Sequence, residues 1–294
     1  MILAGRRPAL AWLLVAPALA GVALTAGWPL LRTFWLSFTD ATLGAPVAAQ
    51  LVGLDNYADL LRDPAWWQAV RNTLLFTLVS VSLEVVIGVG IALVLAQRFP
   101  GRALLRAAVL VPWAIPTVVS AKIWAWMLHD LYGVVNESLL ALGLIAAPLA
   151  WTADSSLALL TVVAVDVWKA TPFVALLTLA ALEMVPRELY EAARVDGAGA
   201  LTRFTRITLP LIRPALLVAV VFRTFDALRV FDIIYVLTST TESTATMAIF
   251  VRQQLVDFQD AGYGSAAATL VFFVIALVTA IGLTAGRLRL DIVR

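Results

Sequence analysis

Cysteine is missing altogether, histidine occurs once, lysine twice, and charged residues of every kind fill only 14% of the 294 positions. Without cysteine the chain can form no disulfide, present no thiolate nucleophile and build no Cys-ligated metal site. The single histidine, His129, has no clustered carboxylates around it in sequence and is a poor metal candidate. Neither H-E-x-x-H nor G-x-S-x-G occurs, so the common zinc and serine hydrolase signatures are excluded. The two lysines, Lys122 and Lys169, fall within apolar runs and neither follows a glycine. The phosphate-cradling G-x-x-x-x-G-K-[S/T] loop is therefore absent, and the chain has no ATP-hydrolysing site of its own.

The shortage of charge is itself informative. A soluble domain carries about 25% charged residues, whereas here 62% of the residues are apolar. So large an apolar surplus has to face something other than water. The basic residues, almost all arginine, are scattered among apolar runs and form no stripe, which argues against a nucleic-acid-binding face.

Six apolar runs are present, over about Leu10 to Phe38, Thr73 to Ala96, Leu105 to Leu128, Leu157 to Leu182, Leu211 to Leu237 and Gly264 to Leu283. Several exceed about 18 residues, enough at roughly 1.5 Å per residue to cross a hydrocarbon core of roughly 30 Å. In lipid they must be helices, because every backbone polar group needs a partner within the segment. The expected fold is all-α, with six transmembrane helices in one membrane domain. Arg6-Arg7, an apolar stretch and Ala18-Leu19-Ala20 imitate a signal peptide. The run continues through Trp28-Pro29 to Phe38, which favours a retained helix.

Arginines in the short loops orient the chain. With the N-terminus inside, thirteen lie on the inner side (Arg6, Arg7, Arg98, Arg102, Arg106, Arg187, Arg194, Arg203, Arg206, Arg213, Arg287, Arg289 and Arg294), against Arg62, Arg71 and Arg252 outside. Both termini are expected in the cytoplasm. The outer segment 39–72 carries Asp40, Asp55, Asp59 and Asp63 with Tyr57, Trp66 and Trp67, the two tryptophans fitting an interfacial belt. In the second long outer loop, 238–263, the spacing of Met247, Phe250, Val251, Leu255 and Phe258 fits a short amphipathic helix on the outer surface, either an interfacial helix or a contact for an external partner.

The cytoplasmic loop 186–210 is the most structured of the connections. Pro186 and Arg187 precede a helix start, and Glu188 and Glu191 sit in its first turns, where acidic groups suit the helix dipole. Asp196-Gly197 is a stop signal, because glycine tolerates the left-handed conformation beyond a helix end. A second short helix follows, with Leu201, Phe204 and Leu209 as apolar anchors, and Pro210 and Pro214 are expected to break it before the fifth span. The result is a helix–turn–helix knob.

Glu191-Ala192-Ala193, Asp196-Gly197, nine residues, then Ile207-x-Leu209-Pro210 resembles the EAA loop of binding-protein-dependent importer permeases. Val52-Gly-Leu-Asp-Asn-Tyr57, Asn72-Thr-Leu, Val111-Pro112-Trp113, Asp166-Val-Trp168-Lys169 and Val230-Phe-Asp-Ile-Ile-Tyr-Val236 are similar to the sugar-importer branch, and the similarity runs in order from about residue 10 to 285. The Gly-Leu-Asp-Asn-Tyr element resembles the first of two permeases of the maltose, trehalose and glycerol-phosphate type. The resemblance implies a multi-pass protein of a bacterial or archaeal cell membrane with the importer-permease fold. It implies a heterodimer with a second permease, two ATPase subunits that carry ATP and Mg, an external solute-binding protein and a sugar as solute. No cofactor or metal is implied in this chain. The loop would be a coupling helix, with Glu191, Ala192, Ala193, Asp196, Gly197, Phe204, Ile207, Leu209 and Pro210 facing or shaping the ATPase contact.

Charges inside the spans are costly and usually mark a pathway or a partner. Arg32, Glu84, Lys122, Asp166, Lys169, Arg223, Asp226, Arg229 and Asp232 are placed there. The i,i+3 spacing of Asp166 with Lys169, and of Arg223 with Asp226, permits ion pairs. Two readings follow: self-neutralising pairs that hold helices together, or a polar passage bordered by Asp166, Lys169, Arg223 and Asp226, with Trp168 or Phe225 stacking on a sugar ring. Lys122 and His129 read as interface anchors. Pro112 and Pro116 each remove a backbone hydrogen bond from the third span and are expected to kink it, as in cavity-lining helices or at a packing bend. A trehalose- or maltose-type disaccharide fits the resemblance best, with other oligosaccharides and glycerol-phosphate as alternatives. An ion-coupled secondary transporter would need midplane carboxylates without an ATPase-docking loop.

Overall fold

The computed structural model describes residues 7–44 and 49–290. Arg6 and Arg294 lie outside the described residues, as do the side chains of Arg7, Arg287 and Arg289. Among the described residues the chain is helical, and extended pairing is limited to two isolated bridges, Thr39–Leu51 and Thr42–Asp260. The all-α expectation holds.

In chain order, α1 (Arg7–Val22) passes through a π-turn at Ala23–Gly27 into α2 (Trp28–Leu36). Then come α3 (Asp55–Arg62), α4 (Pro64–Leu95), α5 (Arg102–Ala114), α6 (Thr117–Met127) and α7 (Val134–Ala141). After α8 (Ala158–Glu183) the loop forms α9 (Arg187–Val195) and α10 (Ala200–Arg203). The chain ends with α11 (Leu209–Ala227), α12 (Asp232–Thr238), α13 (Met247–Arg252) and α14 (Ala261–Leu290). Among the described residues, five helices are long and apolar enough to cross a membrane, and counting α5 with α6 as one bent span gives six.

Two of the expected spans are broken. The third bends by 95° between α5 and α6. Its cause is Pro116: the residue before a proline is pushed out of the helical region, and Ile115 is extended (φ −75°, ψ 134°). Pro112 stays inside α5. The fifth run does not continue to Leu237 as one helix. It stops at Ala227, and Asp232 starts α12 after a gap in which Thr246 Oγ1 donates to the Val230 carbonyl (3.2 Å). At its other end Pro210 and Pro214 do not break it. Helix runs without interruption from Ala200 to Ala227, because a π-turn at Phe204–Thr208 widens the turn just before Pro210. The second span begins at Pro64, earlier than Thr73, since a proline suits the first turn of a helix, where its missing N–H is no loss.

The chain divides into two compact units, Met1–Asp63 with Phe250–Phe273, and Pro64–Ile249 with Val274–Arg294. Within the first, the Gly-Leu-Asp-Asn-Tyr element ties α3 to the end of α2. Asn56 Nδ2 donates to the carbonyls of Ser37 (3.0 Å) and Thr39 (2.8 Å), and the Tyr57 and Ser37 hydroxyls are 2.6 Å apart. Tyr263 donates to Asp63 (3.0 Å).

The second unit is built on α8, which packs against α4, α11 and α5. In its apolar window 61% of residues are buried, against none over Trp12–Leu36. The α4–α8 approach depends on a small residue: a Cβ at Gly88 would lie 2.9 Å from the Val174 side chain. The core joins Phe76, Val81, Val162, Val165, Ile233 and Ile249. Asn72 and Thr73 pin the loop before α13. Asn72 Nδ2 donates to the carbonyls of Ser243 and Ala245, and the Met247 amide donates to Thr73 Oγ1 (2.9 Å). Trp66 is buried, so of the two belt candidates only Trp67 is exposed. The helix expected over 247–258 is present as α13 and a π-turn at Gln253–Asp257, with Met247 and Phe250 buried and Phe258 exposed.

Candidate functional site

Four side chains from three apolar helices meet at one guanidinium. Glu84 of α4 is wholly buried and Arg223 of α11 is 5% exposed. Arg223 donates from Nε to Glu84 Oε2 (2.7 Å) and from Nη2 to Glu84 Oε1 (2.8 Å), the two-pronged geometry for which the planar fork is suited. The same Nη2 reaches Asp166 Oδ2 of α8 at 3.1 Å, and Nη1 donates to Asp226 on α11 itself. Ser80 Oγ completes the ring by donating to Asp166 Oδ2 at 2.7 Å. An isolated charge at such depth costs several kcal/mol, roughly, which is offset only when the partners are close and well aligned. The expected Arg223–Asp226 pair is formed. Glu84, counted among the costly charges within the spans, is the principal partner.

The Asp166–Lys169 pair is not the contact made. Lys169 Nζ instead donates to the carbonyl of Ile115 (2.6 Å), at the C-terminal end of α5 where the helix breaks. A cation suits the free carbonyls and the negative dipole end there. Lys169, Asp166, Arg223 and Asp226 all border a cavity of about 570 Å³, together with Arg229 and Asp232. Both chain breaks, at Ile115–Pro116 and at Val230–Phe231, open onto it.

Trp168 and Phe225 do not line this cavity. Trp168 meets Trp124 edge-on with centroids 5.5 Å apart, and Phe225 lies under the Arg229 guanidinium at 5.0 Å. Each is the sequence neighbour of a cavity residue, Lys169 or Asp226, and helical residues one or two positions apart do not share a face. The aromatic faces at the cavity are Trp113 and Phe231. Both belong to segments, Val111–Trp113 and Val230–Val236, in which the sequence signal was present but attached to no role. Charges of both signs beside flat rings can hydrogen-bond and stack on a hydroxyl-rich solute.

The knob of loop 186–210 is closed as its sequence demands. Gly197 has φ +76°, its amide donates to the Arg194 carbonyl (3.0 Å), and the Ala198 amide reaches back to Ala193 (2.8 Å). This is the Schellman pattern, which satisfies the last carbonyls of α9. Glu191, Ala192 and Asp196 are exposed, Ala193, Phe204 and Ile207 half-buried, and Leu209 and Pro210 exposed. Leu201 is no anchor: it is 75% exposed, and Val195 is 89% exposed. The tie that holds α9 to the following helix is polar, Tyr190 OH to Thr208 Oγ1 at 3.0 Å. Lys122 is exposed, and His129 stacks on Tyr132 with centroids 3.7 Å apart. Among the described residues, no group of three His, Asp or Glu side chains is placed to hold a metal.

Residues 84–288 match the family described as binding-protein-dependent transport system inner membrane component. The chain is 42% identical to the trehalose/maltose transport system permease protein MalF of Thermococcus litoralis, covering 97% of this chain and 96% of that one. It is 40% identical to the sulfoquinovosyl glycerol transport system permease protein SmoG of Agrobacterium fabrum, over 92% and 88% of the two chains. A crystal structure of a bacterial ABC transporter involved in import of the acidic polysaccharide alginate superposes with a TM-score of 0.83 at 23% identity, covering 96% of each chain. At that identity the superposition speaks for the fold.

Proposed function

Because this chain belongs to the family of binding-protein-dependent transport system inner membrane components, we propose that it is the first-type permease subunit of an importer that carries a trehalose- or maltose-type disaccharide across the cell membrane. It works beside a second, homologous permease. Two ATPase subunits supply the energy from ATP and Mg, and an external binding protein delivers the sugar. The family is one of transport subunits, so this chain itself is not an enzyme.

One observation supports the reading most. The helix from Ala200 to Ala227 is continuous, so the knob at one end and Arg223 with Asp226 at the other share one rigid element. A displacement of the knob by a docked ATPase is carried along roughly 1.5 Å per residue of unbroken helix to the cavity wall. Exposed Val195 and Leu201 beside Glu191 supply apolar and acidic contact for that partner. In this mechanism nucleotide binding closes the ATPases, the knobs of both permeases follow, and the cavity is exposed to the outside. Asp166, Lys169 and Asp226 border the solute path, and Trp113 and Phe231 offer the stacking faces.

The test is ATP-dependent uptake of radiolabelled trehalose and maltose into proteoliposomes holding the full complex. Glu191→Ala is expected to leave the complex assembled while removing sugar-stimulated ATP hydrolysis. Full stimulation in that variant would remove the coupling role, and failure of any ATPase to co-purify with the wild-type chain would remove the importer reading. A panel that includes sulfoquinovosyl glycerol decides the solute.

A further inference from the structure

A second, larger cavity, about 1040 Å³, lies where the inner ends of α4, α5 and α8 meet the knob. Five arginines line it: Arg98 from the α4–α5 connection, Arg102 from the start of α5, and Arg187, Arg194 and Arg203 from the knob. Against them stand only Glu183 and Glu191, and Glu183 is already paired with Arg106 from outside the cavity. Arg102 and Arg203 are turned to backbone carbonyls of Gln97 and Ala198. The guanidinium groups of Arg98, Arg187 and Arg194 have no hydrogen-bonded or ionic partner among the described residues.

Beside Gln97, Tyr190 and Thr208 the wall has an apolar part, where Leu93, Leu182, Val185 and Phe204 continue the surfaces of the membrane helices. Concavity matters here. A cleft lined by one sign of charge with low-dielectric walls focuses the field and concentrates counter-ions. Basic pockets at the inner ends of membrane helices are suited to lipid headgroups, with an apolar wall for the acyl chain.

We propose that this cavity binds the phosphate of an anionic phospholipid of the inner leaflet, and that the bound lipid bridges the knob to the α4–α5 connection. An acidic segment of the ATPase would match the charge but not the apolar wall that runs on into the membrane helices. A soluble phosphate would likewise leave that wall uncovered. The lipid therefore acts as a strut between the element that contacts the motor and the elements that stay in the membrane.

The experiment is native mass spectrometry of the full chain released from nanodiscs of equimolar phosphatidylglycerol and phosphatidylcholine. The wild type is expected to retain one phosphatidylglycerol in preference to phosphatidylcholine. The double variant Arg98→Gln, Arg187→Gln is expected to lower that preference at least tenfold. Arg206→Gln with Arg213→Gln removes the same charge from the same side but outside the cavity, and is expected to change it less than twofold. Arg98→Lys with Arg187→Lys keeps the charge and is expected to keep the preference, which separates binding from misfolding. Equal loss in the two glutamine doubles would overturn the proposal in favour of general surface charge. Displacement of the lipid by millimolar inorganic phosphate, or its expulsion when the ATPase is added, would also overturn it.

Discussion

Arg223 and Glu84 stand 139 positions apart in the chain and are joined by two hydrogen bonds of 2.7 and 2.8 Å, with the Glu84 side chain fully shielded from solvent. This pair fixes α11 against α4, and Asp166 adds α8 to the same point. The pair therefore belongs to the architecture, while its outer edge, Asp226, faces the cavity. Structural pairing describes the Arg223–Glu84 contact, and the proposed polar passage concerns the end of the cluster at Asp226.

Removal of one partner leaves an uncompensated buried charge. Arg223→Ala is expected to destabilise by about 3–5 kcal/mol, seen as a fall in thermal midpoint of the detergent-solubilised chain and in membrane yield. Glu84→Ala combined with Arg223→Ala is expected to be milder than Arg223→Ala alone, since no orphan of that pair remains. A double variant as unstable as the sum of the two single variants would mean that the pair carries no coupling.

The legibility of these features in the sequence divided along physical lines. Runs of apolar residues report lipid directly, so the spans were visible, although their ends moved and the third and fifth are broken. The Gly197 turn was visible because a left-handed residue demands glycine. The break at Pro116 was legible as a kink, but its 95° size depends on what packs around it. The break after Ala227 was not legible, because neither proline nor glycine marks it. Glu84 was visible as a costly charge, but its partner lies 139 positions away, and no local spacing rule connects them. Trp168 and Phe225 do not line the cavity, because adjacency in sequence to a cavity residue places a helical side chain on another face.

Gly88 tests the packing of the central helices. A side chain there would meet Val174 at 2.9 Å, inside ordinary contact distance. Gly88→Val is expected to cost about 1–3 kcal/mol through overpacking, measured as lower thermal stability of the purified chain. Gly88→Ala, which adds only the Cβ, is expected to cost less than Gly88→Val. Equal stability of Gly88→Val and the wild type would show that the α4–α8 approach is not limiting.

Gly197 tests the knob. A non-glycine residue in the left-handed region costs about 1–2 kcal/mol, so Gly197→Val is expected to unwind the end of α9 without unfolding the spans. In the reconstituted complex, sugar-stimulated ATP hydrolysis should fall several-fold while basal hydrolysis and thermal stability of this chain stay close to wild type. An unchanged stimulation ratio would mean that the Schellman turn does not matter to coupling.

The cavity makes the sharpest distinction between the two sets of aromatic residues. Trp113 has one face partly covered by Phe173, at a centroid distance of 6.4 Å, and Phe231 stacks on Tyr235 at 5.4 Å, so each ring is held in a fixed plane. A fixed plane loses little conformational freedom when a sugar ring settles on it. Trp113→Ala and Phe231→Ala are each expected to raise the half-saturating sugar concentration for uptake roughly tenfold, equivalent to ~1.4 kcal/mol. Trp168→Ala and Phe225→Ala, which remove rings outside the cavity, are expected to leave it within about twofold, since surface and helix-packing changes act on stability before they act on affinity. Uptake curves measured for all four variants at equal complex abundance decide the matter. A larger effect from the second pair would return the stacking role to Trp168 and Phe225, and would require the solute to pass along a different face of α8 and α11.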